Sequence, residues 1–273
     1  MKNSEIISNK QTDIIVFSLT KDFKFINNKV KGKLVVYLSK NGIIENNKWN
    51  FSKSDHIAIN EPIENIEIKN NILRNWLWNW IHVTPQIEHE IPKWVVSRNI
   101  IIENNQIWNT EYMWILVDWN WAARSKPIAI ENIKIINNKI NKTGRSWIYV
   151  LASNDWSKID EILINWNIIE KSGVNNDFGS TWLTSIAIDD WWSMANNEQR
   201  SEEVKQNITN LEISDNVINW NNDYWIKIDY PILAENTDES IYKIKIDWNE
   251  IDDNIKNNEK ERVDKKIYYW NIW

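Results

Sequence analysis

Short runs of alternating apolar and polar residues recur down the chain, separated by pairs of asparagine or their equivalents. The clearest copy begins at Asn132 and reads N-I-K-I-I-N-N-K-I. Ile133 and Ile135 alternate with Lys134, Asn137 and Asn138 follow, and Ile140 closes the run. After a polar loop comes a second alternating run, Trp147-Ile148-Tyr149-Val150. The same grammar begins at Asn65 (N-I-E-I-K-N-N-I-L), Asn99 (N-I-I-I-E-N-N-Q-I), Glu161 (E-I-L-I-N-W-N-I-I), Asn210 (N-L-E-I-S-D-N-V-I) and Lys243 (K-I-K-I-D-W-N-E-I). A weaker copy begins at Val35 and a stray one at Asp22. In four copies the second run starts 15 residues in, at Trp80, Trp114, Trp147 and Trp225; in the Glu161 copy it comes nine residues later, at Ser185-Ile186-Ala187-Ile188.

Alternation with a period of two predicts strands that hold their isoleucines on one face. Each run is too short for a helix, and the Asn-Asn pairs predict turns, because Asn tolerates the left-handed backbone. One copy of about 33 residues cannot bury its apolar face alone. Stacked copies can, with each strand pairing in parallel with its equivalent one coil away, about 4.8 Å distant.

The pattern N-I-x-I-x-[N/D/G]-N-x-I, followed by G-I-x-V, resembles the right-handed parallel β-helix of pectate lyases, polygalacturonases and related proteins, over about Val35–Ile251. The fold class expected is all-β, a single-stranded right-handed parallel β-helix solenoid of seven coils. Residues 1–30 are expected to form an N-terminal segment and cap, residues 31–251 the β-helix, and residues 252–273 a charged tail or the start of a further coil. The Glu161 copy carries insertions near Gly173–Thr184 and Trp191–Asn207, expected to be loops that shape one side of the solenoid.

The tryptophans change this picture. The chain holds 20 Trp and 5 Gly, against roughly 19 Gly at average usage. Trp80, Trp114, Trp147 and Trp225 fall where the resembling repeat carries Gly. Trp166 and Trp248 fall where sister copies carry Asn70, Asn104, Asn137 and Asp215, residues suited to positive φ. Segments such as Asn75–Trp80 and Asp118–Trp121 become ordinary turns if each Trp is read as Gly. The reading is that UGA codons decoded as glycine in the source stand here as tryptophan, which the Asn-, Ile- and Lys-rich composition of an AT-rich gene fits. The rival is a genuine Trp-rich surface that stacks on sugar rings.

Net charge is −6 with both signs interspersed, which gives no nucleic-acid footprint. No 18-residue apolar run predicts a membrane span. With no Cys, disulfides and thiolate metal sites are excluded. Residues 1–13 lack the apolar core of a secretory signal, whereas the resemblance implies an extracellular or cell-surface protein. Either the chain is a fragment, its start is misplaced, or it is not exported, and the abrupt last residues, Tyr268–Trp273, also suggest a fragment.

Candidate chemistry follows from the second run. If its Ile and Val point inward, one outward column is His82, Leu116, Tyr149, Ala187 and Lys227, and the next is Thr84, Asp118, Leu151, Asp189 and Asp229. Asp189 and Asp229 are then one coil apart, with Asp118 two coils from Asp189 and Asp190 and Lys227 beside them. The resemblance points to the same outward face, since lyases and hydrolases of this fold carry acidic residues there. A hydrolase needs two carboxylates about 5–5.5 Å apart if retaining and about 6.5–9.5 Å if inverting. A lyase needs a cation, often Ca²⁺, held here by Asp118, Asp189 and Asp229, and a base, Lys227 or Arg124. Asp189-Asp190 is similar to the Asp-Asp pair of polygalacturonases, while the accompanying Gly-His-Gly and Arg-x-Lys elements are not evident. The other reading of these Asp residues is that they end strands and keep a β surface soluble.

The column Asn71, Asn105, Asn138, Asn167, Asn216 and Asn249 reads as a buried ladder of turn amides. His56, His82 and His89 are too scattered in sequence for a metal cluster. Two functions remain open: a carbohydrate-active protein that acts on or binds an extracellular polysaccharide, and a non-catalytic adhesion or stalk module built on the same solenoid.

Overall fold

The computed structural model describes residues 5–7, 10–11, 14–52, 55–60, 62–76, 81–84, 95–110, 115–118, 128–143, 148–152, 157–172, 185–190, 208–221, 226–229, 245–247, 249–251 and 267–269. Its strands stack into three sheets of nine, and every neighbouring pair runs parallel. One coil gives one strand to each sheet, as in Val95–Glu103 for the first, Gln106–Thr110 for the second and Ile115–Asp118 for the third. The following coil repeats the order one layer on, with Ile128–Ile136, Lys139–Thr143 and Ile148–Ala152. The chain is therefore a parallel β-helix. Among the described residues no helix is long and apolar enough to cross a membrane.

Isoleucine columns build the interior. In the first sheet Ile66, Ile100, Ile133 and Ile162 are register partners, in the second Ile107, Ile140 and Ile169, and in the third Ile81, Ile115, Ile148, Ile186 and Ile226. All are buried in one continuous core. Each such side chain is worth about 1.5–3 kcal/mol on burial, which a single coil could not collect.

The corners explain the asparagines. The first of each Asn pair is left-handed and exposed: Asn46, Asn70, Asn104 and Asn137 have φ of 55–57°. The second is buried and forms a ladder. Each Nδ2 donates to the Oδ1 of the next coil's Asn, as in Asn71 to Asn105 at 3.0 Å and Asn105 to Asn138 at 3.0 Å. The same Nδ2 also donates to a main-chain carbonyl, Ile44 for Asn71 and Ile68 for Asn105. The ladder runs unbroken from Asn28 through Asn47 to Asn249. A second, exposed ladder links Asp22, Asn41, Asn65, Asn99 and Asn132 at another left-handed corner.

The N-terminal register differs from the one expected. Val35 lies in Leu34–Tyr37, the third-sheet strand that closes the preceding coil; the next coil opens with the first-sheet strand Lys40–Glu45, and Asn41 stands where Asn65 does one coil on. Asp22 opens a true coil, because Lys24 pairs with Ile43. Residues 5–30 thus supply two strands each to the first and second sheets and one to the third, ahead of the coils read from the sequence. Ile267–Tyr269, within the expected tail, pairs with Ile226–Asp229 in the third sheet.

These early coils are shorter, 19 residues between Asn28 and Asn47 against 34 between Asn71 and Asn105. They are filled by aromatics. Phe17 stacks on Phe23 at 4.6 Å, and Phe25 lies 5.8 Å from Trp49. Gly42 replaces the column isoleucine because the Phe23 ring occupies its space; a Cβ there would come within 2.0 Å of it.

Trp166 stands in the left-handed corner column at φ 53° and is 57% exposed, a backbone suited to Gly. Trp80, Trp114, Trp147, Trp225 and Trp248 lie outside the described residues. The position preceding the third-sheet strand, which they share with Ser185 except for Trp248, is fully buried at Ser185.

Candidate functional site

The outer side of the third sheet differs from those of the other two. The first sheet presents charge to solvent: Glu64 accepts from Lys40 at 2.6 Å and from Arg98 at 2.6 Å, and these two hydrogen bonds hold its carboxyl below the usual range. Lys69 pairs with Glu67 at 2.6 Å on the same side. The second sheet turns Lys48, Gln106 and Lys139 outward, all exposed, and Arg74 sits 4.5 Å over the Trp108 ring.

On the third sheet the strand alternation places Ile57, Ile59, Ile81 and Val83 in the core and Ala58, Asn60, His82 and Thr84 on the other side. The register sets His82 beside Ala58 and Leu116, then Tyr149, Ala187 and Lys227 in turn. This is the outward column read from the sequence. It is not open to solvent along its length, however. Leu116, Tyr149 and Ala187 are buried and form, with Leu151, an apolar cluster separate from the main core. Pointing away from the core, its apolar members are nonetheless covered.

The second outward column is also in register. Asp118 partners Leu151, Leu151 partners Asp189, and Asp189 partners Asp229, with Asp190 beside Ala152. Neighbouring backbones in such a column lie about 4.8 Å apart, so Asp118 and Asp189 are separated by about 10 Å. The side chains of Asp118, Asp189, Asp190, Asp229 and Lys227 lie outside the described part of the structure, as do Arg124, His89 and both insertions of the Glu161 copy. Among the described residues, no three His, Cys, Asp or Glu lie close enough to share a metal ion.

Where side chains are described, this face carries a polar cluster: sequence reading placed His82 and Thr84 on it and missed Lys33, Asp55 and Asn60. Asp55 Oδ2 lies 3.2 Å from His82 Nδ1 and 3.6 Å from Lys33 Nζ. An ionised carboxylate only accepts, so Nδ1–H is the donor in this contact. One row along, Asn60 and Thr84 are register partners. Both are buried, and Asn60 Oδ1 and Thr84 Oγ1 have no hydrogen-bond partner. The signal that finds them is I-A-I-N at Ile57, which matches I-H-V-T at Ile81 once the coil starts at Asn41 rather than Val35.

His56 is a different case. It is buried against Trp49, ring centroids 6.2 Å apart, and burial pushes its pKa down to about 3. It is a neutral core residue. Comparison of the chain with family models, with curated proteins and with solved structures yields no match.

Proposed function

We propose that the protein is a carbohydrate-active β-helix, similar in plan to polysaccharide lyases and hydrolases, whose third sheet takes an extended polysaccharide along its outer face. The observation that carries this reading is the outer face itself. It carries covered apolar side chains at Leu116, Tyr149 and Ala187 and two buried polar atoms without a partner at Asn60 and Thr84, whereas the outer face of the first sheet carries paired charge. Its repeat of about 4.8 Å per coil forms a linear array, suited to a polymer of sugar rings that offer both an apolar face and hydroxyls. On this reading Asp118, Asp189, Asp190 and Asp229 supply carboxylates and Lys227 a cation, with Ca²⁺ required only for elimination from an acidic polymer. Such a substrate places the protein outside the cell or on its surface.

The test is to challenge folded protein with neutral and acidic polysaccharides, measuring retention on immobilised polymer, new reducing ends and unsaturated uronic products. Retention with either product supports an enzyme, and retention alone a binding protein. No retention and no product overturn the reading. A second reading, a rigid stalk, rests on the unbroken amide ladder from Asn28 to Asn249, which stiffens the solenoid along its axis. It predicts no binding to any glycan.

A further inference from the structure

The two ends of the solenoid complement each other. We propose that the chain assembles end to end with further copies of itself, the N-terminal edges of one molecule pairing in parallel with the C-terminal edges of the next.

Six strands form these edges. At one end they are Glu5–Ile7, Lys10–Gln11 and Ile15–Ser18, and at the other Lys245–Asp247, Glu250–Ile251 and Ile267–Tyr269. Among the described residues no strand pairs with the outer side of any of the six. A row of unpaired backbone groups is a template for another chain. Both ends keep the sheet order and the strand direction of the coils between them. A shift along the axis therefore brings each N-terminal edge onto the C-terminal edge of its own sheet, in the geometry of a parallel ladder.

The core columns are open at these ends. One column of the first sheet begins at Ile6 and finishes at Ile246, and both are only partly buried, while Phe25 and Ile213 next to them are fully buried. In the third sheet Ile15 is partly buried and Leu34, its partner, fully so. Val16 is 52% exposed, whereas Val35 beside it is 4% exposed. One further layer hides such column ends, and the far end of another copy supplies it. By register Ile246 meets Ile6, Ile267 meets Ile15 and Tyr269 meets Phe17. Gln11, which Ile251 would meet, is the polar exception.

Charge sets the polarity of the contact. A column of the first sheet starts at Glu5 and ends at Lys245. A column of the second starts with Lys10, Lys29 and Lys48 and ends at Glu250. Head to tail, Lys245 is set against Glu5 and Glu250 against Lys10. Head to head, the lysine columns of both copies would meet instead. The whole chain has the same asymmetry: residues 1–55 hold 10 Lys against 5 Asp or Glu, a charge of +5, which leaves −11 for the rest of a chain of charge −6. A head-to-tail contact does not close, so it builds a filament. Nine strands per sheet at about 4.8 Å give an axial repeat of about 43 Å. The outer face of the third sheet then runs on from copy to copy, and the assembly needs no glycan.

The experiment uses the full chain and four variants, Val16→Pro, Lys10→Glu, Glu250→Lys and the double variant Lys10→Glu/Glu250→Lys. The Ile15 N–H donates inward to Lys33 O at 2.8 Å, so the alternation of a parallel strand aims the Val16 N–H at the open edge. Proline there removes a donor from that edge alone. Lys10→Glu sets a carboxylate beside Lys29, which relieves like charge within the monomer. Sedimentation velocity over a dilution series and electron microscopy read the assembly, and circular dichroism the fold. The parent is expected to form unbranched rods of about 43 Å repeat that lengthen with concentration. Val16→Pro should stay monomeric with the parent's spectrum. Each single charge reversal should raise the concentration needed for assembly about 10-fold, and the double variant should recover most of that loss. If Val16→Pro does not fold, the charge exchange decides alone. A parent that remains monomeric or stops at a closed dimer overturns the proposal. So does assembly that folded Val16→Pro leaves unchanged, or a double variant no better than the single ones.

Discussion

Removing one rung of the internal amide ladder should cost a large share of the protein's stability. Asn105 is fully buried. Its Oδ1 accepts from the Asn71 backbone N and from Asn71 Nδ2, both at 3.0 Å. Its Nδ2 donates to Ile68 O at 2.9 Å and to Asn138 Oδ1 at 3.0 Å. In Asn105→Ala the Asn71 N–H and the Ile68 carbonyl each lose this partner, and Asn71 Nδ2 keeps only Ile44 O. At about 1–3 kcal/mol for each of these two buried groups, the loss sums to about 2–6 kcal/mol. Typical domain stability is about 5–15 kcal/mol, so the solenoid should weaken through its middle coils. Equilibrium urea unfolding followed by far-ultraviolet circular dichroism measures it. Gln106→Ala, next in sequence but exposed, is the control and should move stability by about 0.5 kcal/mol or less. Hydrogen exchange should show the loss centred on strands 64–76 and 95–110. A change in Asn105→Ala of about 1 kcal/mol or less, with a single cooperative transition, would refute the ladder as a main source of stability.

Other consequences are equally direct. Gly42→Ala should destabilise the early coils, because its Cβ collides with a buried ring, and Phe23→Leu in the same chain should restore part of the loss in thermal melts. His56 has a folded pKa of about 3 against an ordinary 6.5; the unfolded chain therefore binds the proton first, and stability falls as pH drops through that window, by up to about 1.4 kcal/mol per unit. His56→Leu should flatten this dependence relative to the parent; an unchanged slope would mean that the ring is protonated in the fold. Trp166→Gly should stabilise the corner by about 1 kcal/mol, since a left-handed backbone strains any residue with a Cβ. Peptide mass mapping of protein from its native source should find glycine at Trp166; tryptophan there would remove the codon explanation.

The regular coils were legible because one physical rule repeats in them. Isoleucine at every second position, then two asparagines, states both the core and the corner, and it places Asp118, Leu151, Asp189 and Asp229 in one register column from sequence alone. The early coils were not legible from that rule. Gly42 occupies an isoleucine position and Phe23, Phe25 and Trp49 fill the space, so the pattern breaks although the stacking does not. The burial of Leu116, Tyr149 and Ala187 was also hidden, because alternation tells which side of a strand a residue takes and says nothing of what covers that side. The Asp55–His82 contact joins residues 27 apart across two coils, and only the correct start of the coil at Asn41 brings them together.

The central claim is that the outer face of the third sheet is the functional surface, and hydrogen exchange with and without bound polysaccharide tests it most directly. The account predicts protection in peptides that contain residues 57–60, 81–84 and 115–118, with the exposed strands of the first and second sheets unchanged. Protection confined to the second sheet around Arg74 and Trp108 would contradict it and move the binding surface to the opposite reading, an aromatic platform.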